Sequence, residues 1–320
     1  MSKSALADLA AQIRALRPAD AETVGVDAIA VRRTMDAMSP PNPLGLDVRE
    51  IDIMRELPLD HPDYHDEDAV FLVAEWLVPR GARTDVRLVY LHGGAYIAGS
   101  RRSHRGLASR IARAIGCVAL VPEYRLAPEH PFPAALEDAR LALAHAFGHG
   151  PDGESPATAV ILAGDSAGGG LTISTLVSAR DDRARLPVAA VTLSAWTDLE
   201  GKGESVRTRA ELDPMIPPAL IPGWARLYLG DRDPATPLAS PVNADLTGLP
   251  PLLMQVGDHE VLLDDTVRVA ERAEAAGVQV ALEVWPEAFH VFQAFAGAIP
   301  EGRQAIEHIG RFCRAHAGIG

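Results

Sequence analysis

A serine lies between two glycines at the point where the sequence changes from a strand pattern to a helix pattern. The segment Gly164-Asp165-Ser166-Ala167-Gly168 follows the apolar run AVILA and precedes a helix-like run, which is the strand–turn–helix setting of the Gly-x-Ser-x-Gly motif. So sharp a turn strains the backbone of the serine, and side chains two positions to either side would collide, hence the two glycines. The pattern predicts that Ser166 is the nucleophile of an acyl transfer.

Two segments could stabilise the negative charge that forms when such a serine attacks a carbonyl. The helix that begins at Ala167 directs free N–H groups and the positive end of its dipole towards Ser166. Upstream, His92-Gly93-Gly94-Ala95 follows the strand-like run VRLVYL, and glycines let N–H groups approach a substrate oxygen. We expect the N–H groups of Gly93, Gly94 and Ala167 to form an oxyanion hole, with an ordinary Gly-Gly turn as the alternative.

The general base should be a histidine late in the chain, because this kind of site orders its residues as nucleophile, acid and base. His290 lies just after the strand-like run VALEVW, at the carboxyl edge of the predicted sheet. His308 and His316 fall on or just past a predicted terminal helix, whereas catalytic groups usually lie on loops. The sequence therefore favours His290.

Composition and charge exclude several other classes of protein. The 320 residues carry a formal net charge of −13, which repels phosphate backbones, so nucleic acid is not an expected partner. No run approaches the roughly 18 apolar residues that cross a bilayer, and the N-terminus lacks the apolar stretch of a signal peptide. Two cysteines, Cys117 and Cys313, are too few for a disulfide framework. We expect a cytoplasmic protein with reduced thiols.

The elements that must position these residues alternate along the chain. From Val70 onward strand-like and helix-like runs follow one another, which predicts an α/β fold with a mostly parallel sheet flanked by helices. The strand candidates are Val70–Val78, Val86–Leu91, Val118–Pro122, Ala159–Ala163, Val188–Leu193, Leu252–Val256 and Val280–Val284. The helix candidates are Ser103–Ile115, Ala134–Phe147, Ala167–Arg180, Pro218–Leu229, Asp264–Ala276 and Arg303–Ala315.

Two further segments stand outside this alternation. Residues 1–45 hold two amphipathic helix patterns, the second from about Val26 to Met38. Residues 197–249 interrupt the alternation with proline, glycine and aspartate. We therefore predict a single domain over residues 1–320, with an N-terminal helical cap at 1–45 and an insertion over the rim of the sheet at 197–249.

Three segments together resemble the bacterial hormone-sensitive-lipase-like esterases. They are HGGAY at residues 92–96, EYRLAPEHPFPA at 123–134 and GDSAGG at 164–169. The resemblance extends from about Val70 to the C-terminus and implies an α/β-hydrolase fold with a cap, no cofactor, and hydrolysis of short acyl esters. One departure is Ala95, where the family commonly has a third glycine; because alanine is small, we expect only a slightly altered pocket.

The resemblance also bears on the acid that orients the base. The family usually has Asp-Pro-Leu-x-Asp after this strand, and aligning its final aspartate with Asp264 puts Glu260 at the catalytic position. Alignment by residue type at the strand end favours Asp258 instead. We prefer Glu260, because Asp264 is well placed to begin the next helix, and keep Asp258 as the alternative. Either residue suits the role, which needs a buried acceptor.

Other interpretations remain open. The segment GDSAGGG is a poor match to a phosphate-binding loop, since the chain lacks the Gly-x-Gly-x-x-Gly and Gly-Lys-Ser/Thr patterns of such loops. The run from Asp60 to Asp66 is rich in potential ligands, but without His-Glu-x-x-His or paired cysteines we predict no metal. The same machinery could act on a lactone or an acetylated substrate, and a catalytically silent binding module is the alternative from another class.

Substrate size and assembly are less defined by the sequence. We expect the cap and the residues near Trp196, Met215 and Phe292 to shape the acyl pocket. An exposed last strand, Val280–Val284, is a candidate for pairing with its copy in a homodimer. The expected substrate is a small-molecule ester.

Overall fold

An eight-stranded sheet forms the centre of the molecule. The computed structural model describes residues 5–16, 28–37, 46–54 and 71–320. The strands are β1 (Asp47–Met54), β2 (Phe71–Val78), β3 (Arg83–Leu91), β4 (Cys117–Pro122), β5 (His149–Gly150), β6 (Gly153–Glu154), β7 (Ala159–Asp165), β8 (Ala189–Leu193), β9 (Leu252–Gly257) and β10 (Val280–Trp285). The large sheet has the order β1-β2-β4-β3-β7-β8-β9-β10, while β5 and β6 pair separately.

The direction of the strands agrees with the predicted α/β class. β1 pairs with β2, and β2 with β4, in antiparallel fashion. Every other pair in the large sheet is parallel. All seven residues of β7 are buried, as expected for a strand with helices on both faces of the sheet. The seven predicted strands are confirmed, and β1 is an additional edge strand.

Helices cover both faces of the sheet and its carboxyl edge. They are α1 (Ala5–Leu16), α2 (Ala28–Ala37), α3 (Arg101–Ile115), α4 (Ala134–Gly148), α5 (Ala167–Asp181), α6 (Ser205–Thr208), α7 (Ile221–Leu229), α8 (Leu263–Ala275) and α9 (Pro300–Ala317), with short 3₁₀ segments at Pro218–Leu220, Pro241–Asn243 and Phe292–Phe295. Each predicted helix is present, with ends shifted by a few residues. The hydrophobic core is built from the apolar strands and the helix faces packed on them.

Parallel pairing brings the predicted site segments to one edge of the sheet. β3, β7, β9 and β10 all run in the same direction. Their carboxyl ends lead into residues 92–95, into Ser166, into Glu260 and into His290. Crevices outside the carboxyl ends of parallel strands are where ligands bind in such sheets.

The two N-terminal helices contact the elements around this edge. Leu6 of α1 is buried in a cluster with Ala288 and Phe289. The Arg32 guanidinium of α2 donates hydrogen bonds to the carbonyl oxygens of Ile97 and Ala127, both at 2.7 Å. Both helices therefore pack next to the loops that follow the strands.

The described residues form neither a metal-binding cluster nor a membrane-spanning helix. The run from Asp60 to Asp66, which carries the potential ligands, lies outside the described residues. Across the described ranges, no group of three histidine, cysteine or acidic side chains is arranged to hold a metal ion. None of the helices described there combines the length and apolarity needed to cross a bilayer.

Helix α5 packs against the backbone at the end of β3 at a distance that only glycine allows. A Cβ atom added at Gly168 would lie 2.1 Å from the carbonyl oxygen of Leu91 and 2.4 Å from that of His92. A Cβ at Gly170 would lie 2.0 Å from the carbonyl oxygen of Trp196. Because backbone atoms cannot swing aside, any side chain here would force the helix away from the sheet.

We expect Gly168→Ala to reduce the free energy of unfolding by about 3 kcal/mol or more, because overpacking against backbone displaces a whole element. Gly148→Ala is the matched control, since no atom lies within 4 Å of its Cβ position at the end of α4. That change should alter stability by no more than about 0.5 kcal/mol. Urea unfolding of both variants tests the difference, and equal stability would contradict the close approach of α5.

Candidate active site

Ser166 lies in the sharp turn between β7 and α5. Its backbone angles are φ 53° and ψ −122°, a strained conformation for a residue with a side chain. The Ser166 N–H donates to the carbonyl oxygen of Leu193 at 2.8 Å, and the Trp196 N–H donates to the Ser166 carbonyl at 2.9 Å. The end of β8 and the residues after it therefore hold the turn on one side.

The two glycines of the motif are required by the same turn. A Cβ at Gly164 would lie 2.3 Å from the carbonyl oxygen of Gly168, and the Cβ position of Gly168 is blocked by β3. The predicted collision two residues before and two residues after Ser166 is therefore confirmed.

His290 and Glu260 form a buried pair beside this turn. The Nδ1–H of His290 donates to Oε2 of Glu260 at 2.9 Å. Glu260 is 0% exposed and His290 5% exposed. The other carboxylate oxygen, Oε1, accepts from the Gly257 N–H at 2.5 Å and from the Ser194 hydroxyl at 2.9 Å. Three donors thus fix the carboxylate and, through it, the imidazole ring.

Asp258, the alternative acid, faces elsewhere. Its Oδ1 accepts from the Glu287 N–H at 2.6 Å, and its side chain is 39% exposed. Its nearby histidine is the adjacent His259, at 3.8 Å, and not His290. Of the two carboxylates that the sequence left open, the structure places Glu260 against the imidazole.

The charge of the pair is set by two opposing effects. Burial lowers the pKa of His290, but the hydrogen bond and charge of Glu260 raise it more, so the pKa lies above its ordinary value. The Asp213 and Asp165 carboxylates act in the same upward direction. An imidazole with a raised pKa is a stronger base. The hydrogen bond to Glu260 keeps the proton of the neutral ring on Nδ1.

The prediction for Gly93 is wrong. Its N–H donates to Oδ1 of Asp165 at 3.1 Å, so it is already used by a buried carboxylate and does not face the cavity. Gly94 and Ala95 line the cavity beside Ser166 instead. Within the described part of the chain, neither of their N–H groups has a hydrogen-bond acceptor.

The conformation of the same loop explains the third glycine of the family. Ala95 has φ 55°, in the left-handed region where a side chain costs roughly 1–2 kcal/mol. Gly94 has φ 122°, and a Cβ there would lie 2.2 Å from the carbonyl oxygen of Ala98. Alanine is therefore tolerated with strain at position 95, and no side chain is tolerated at 94.

Asp165 is a functional-site residue whose role the motif did not reveal. This buried carboxylate accepts from the Tyr90 hydroxyl at 2.7 Å and from the Gly93 N–H, and it pairs with Nε2 of His104 at 3.4 Å. Burial acts to raise the pKa of Asp165, but the charge and hydrogen bond of His104 together with the Tyr90 hydroxyl outweigh it, and the pKa is lowered. The carboxylate thereby ties the Ser166 turn to β3, to the 92–95 loop and to α3.

Ser194 and Asp213 also support the site. The Ser194 hydroxyl donates to Glu260 and accepts from the Val291 N–H at 3.0 Å. Asp213 accepts from the N–H groups of Ile216 at 3.0 Å and Val261 at 2.9 Å. Neither residue belongs to a sequence motif, and only the folded chain brings them to the acid and base loops.

A cavity of about 510 Å³ opens at Ser166 and His290. One part of its wall is apolar and comes from α2 and from the 197–249 segment, which includes α7: Val31, Met35, Met215, Ile216 and Trp224. Trp196 and Phe292, which were expected to shape the pocket, are not among the lining residues. Trp196 packs near the Tyr96 ring, with ring centres 6.0 Å apart, and Phe292 is fully buried beside Trp285. Of the three expected residues, Met215 alone lines the cavity.

Replacing Glu260 should lower the pKa of His290, because burial then acts without the compensating carboxylate charge. We expect Glu260→Gln to bring that pKa below the ordinary histidine value of about 6.5. Asp258→Asn is the matched control and should leave it nearly unchanged. NMR titration of the His290 imidazole measures both, and a larger effect of Asp258→Asn would contradict the pairing seen here.

The chain is similar to known hydrolases over most of its length. Residues 88–294 match the protein family described as "alpha/beta hydrolase fold". An acetyl-hydrolase of Streptomyces hygroscopicus is 47% identical over 77% of this chain and 81% of its own. The crystal structure of EstE5 soaked with ethyl alcohol superposes with a TM-score of 0.88 at 36% identity, covering 99% of this chain and all of that one.

A second solved structure extends the comparison. It is described as an esterase from the bacterial hormone-sensitive lipase family, and it superposes with a TM-score of 0.84 at 41% identity over 99% of this chain and 100% of that chain. The fold, the Ser166 turn and these similarities agree with the resemblance carried by the three sequence segments. The chain belongs to the α/β-hydrolase family, among the bacterial hormone-sensitive-lipase-like esterases.

Proposed function

We propose that the chain is a serine carboxylic-ester hydrolase that cleaves short-chain acyl esters through an acyl-enzyme. One observation carries the proposal: Ser166 on its strained turn and His290 held by Glu260 line the same cavity. A nucleophile, a base and a group that orients the base are the parts that acyl transfer needs. The family membership of the chain supports the same activity.

In the proposed reaction Ser166 Oγ attacks the ester carbonyl while Nε2 of His290 takes its proton. Glu260 keeps the other imidazole proton on Nδ1 and stabilises the imidazolium that forms. The N–H groups of Gly94, Ala95 and Ala167 bind the oxyanion; a single donor of this kind typically contributes about 3 kcal/mol. His290 then protonates the departing alkoxide, and water, activated by His290, releases the acid. The chain itself supplies every group in these steps, so we propose no cofactor.

The substrate class is drawn from the cavity and the relatives. The apolar wall of Val31, Met35, Met215, Ile216 and Trp224 favours an uncharged acyl group. The Streptomyces relative is named an acetyl-hydrolase, which favours acetyl and similarly short esters over long ones.

We also propose that residues 1–45 and 197–249 act together as a cap on one catalytic domain. Helix α2 lines the cavity together with residues of the 197–249 segment. The Arg14 guanidinium of α1 donates to the carbonyl oxygen of Leu212 at 2.8 Å, which joins the two parts of the cap. Substrate access would then depend on both.

We propose a cytoplasmic location because both cysteines are free. Cys117 and Cys313 are both free and buried, and structural disulfides are rare in reducing compartments. Immunoblotting of fractionated cells tests this location, and recovery from the exterior would overturn it.

A homodimer through β10 is proposed from the exposed edge of the sheet. β10 is the last strand in the sheet order, and Leu282 and Val284 are 36% and 42% exposed. We expect Val284→Lys to shift the chain from dimer to monomer in sedimentation velocity, because a charge on an edge strand opposes pairing. Met54→Lys, on the opposite edge strand, is the control and should leave the dimer intact. A monomeric parent chain would refute the proposal.

The proposed nucleophile is tested by Ser166→Ala. Turnover of p-nitrophenyl acetate should fall by about 10⁴-fold or more, as expected when the nucleophile is removed. A fluorophosphonate probe should label the parent chain at Ser166 and leave the variant unlabelled. Ser109→Ala is the control, because among the described residues the side chain of this buried serine bonds only to the backbone of its own helix. Failure of the probe to label the parent chain would favour a silent binding module.

A further inference from the structure

Two arginines stand on the part of the cavity wall that is formed by α3 and the 3₁₀ segment Phe292–Phe295. This part, the arginine wall, consists of Arg102, Gly106 and Arg110 on α3 with Ala294 and Phe295 of the adjoining 3₁₀ segment. The three α3 positions are spaced by four residues, so they lie on one face of the helix, with neighbouring positions about 6 Å apart along its axis and the two arginines about 12 Å apart. Gly106 contributes no side chain between the two guanidinium groups.

The two arginines form no ion pair with a carboxylate of the described residues, although Glu50 interacts electrostatically with Arg102. Within the described ranges, neither Arg102 nor Arg110 forms an ion pair or hydrogen bond. Their helix neighbours behave differently: Arg101 pairs with a glutamate after β4 at 3.2 Å, and Arg105 with a glutamate of β2 at 2.6 Å. Two of the five arginines of α3 are therefore paired, and the two that line the cavity, like the exposed Arg113, are not.

The local charge opposes that of the whole protein. The chain has a net charge of −13, yet the arginine wall brings two positive charges to the cavity. The one carboxylate among the described lining residues, Asp165, already accepts from Tyr90 and Gly93 and pairs with His104. The cavity therefore has a positive side and, in the cap, an apolar side, and a positive cleft attracts anionic ligands.

The position of the arginine wall indicates which part of a bound ester it would contact. Its 3₁₀ segment, Phe292–Phe295, begins two residues after His290. In the proposed reaction His290 gives its proton to the leaving oxygen, so the alcohol part of the ester lies on the His290 side. The acyl part then lies towards the apolar side of the cavity.

We propose that Arg102 and Arg110 form a subsite for an anionic group, of the carboxylate type, on the alcohol part of the substrate. The guanidinium fork matches a carboxylate in shape and charge and can bind it through two hydrogen bonds. The inference rests on the proposed ester hydrolysis and adds a substrate class to it: short acyl esters of hydroxy acids.

The test compares two acetyl esters that differ only in charge at the far end of the alcohol part, 4-acetoxybenzoate and 4-acetoxybenzamide. The measured quantity is the ratio of kcat/KM for the anionic ester to that for the neutral ester, each corrected for its rate with hydroxide. We expect a ratio of about tenfold for the parent chain, mainly from a lower KM. Raising NaCl to about 0.5 M should reduce it, because salt screens exposed charges.

In the double variant Arg102→Gln/Arg110→Gln this ratio should fall close to one. Arg113→Gln is the matched control, since Arg113 is exposed on the same helix and does not line the cavity, and it should keep the parent ratio. Circular dichroism checks that all three chains are folded.

The outcomes separate the subsite from the reaction. A parent chain that hydrolyses both esters at a ratio near one, or a ratio that survives in the double variant, overturns the anionic subsite and leaves ester hydrolysis standing. A parent chain that hydrolyses neither ester and is not labelled at Ser166 overturns both.

Discussion

The site depends on one steric constraint, the contact between the start of α5 and the end of β3. Gly164 and Gly168 have no room for a Cβ atom, and backbone atoms fill that space. This contact forces the Ser166 turn into its strained conformation and sets the 92–95 loop directly beside it. Because backbone packs on backbone, no rotation of a side chain can relax the arrangement. Ser166 and the groups around it therefore hold their positions before any substrate arrives, as the proposed catalysis by preorganised dipoles requires.

Buried carboxylates connect the loops around this contact. Glu260, Asp165 and Asp213 are each almost fully buried, which would be costly without partners. Each instead accepts several hydrogen bonds from different segments of the chain, including N–H groups of the loops that carry the site. A carboxylate that satisfies donors from two or three loops fixes those loops relative to one another. The buried polar groups beneath the cavity therefore hold the loops in place, as the apolar core holds the strands.

Much of the fold follows from local sequence, whereas parts of the site do not. Buried parallel strands read as short apolar runs, so they could be predicted, but β1 carries charged residues at an antiparallel edge and was missed. The placement of Ser166 and His290 after the ends of strands could be predicted because motif and position are local signals. The orientation of the Gly93 peptide depends on Asp165, 72 residues away in sequence, and Ser194 meets Glu260 only in the folded chain. No local pattern encodes such contacts.

The two acidic residues after β9 show why sequence alignment alone left the acid open. Asp258 and Glu260 lie two positions apart in one loop, and both bind the segment that carries His290. Asp258 holds its start through the N–H of Glu287, on the exposed side. Glu260 turns inward, where its longer side chain reaches the imidazole while also accepting from Gly257. The two carboxylates therefore fix the histidine segment at two points, and burial decides which of them sets the charge of the imidazole.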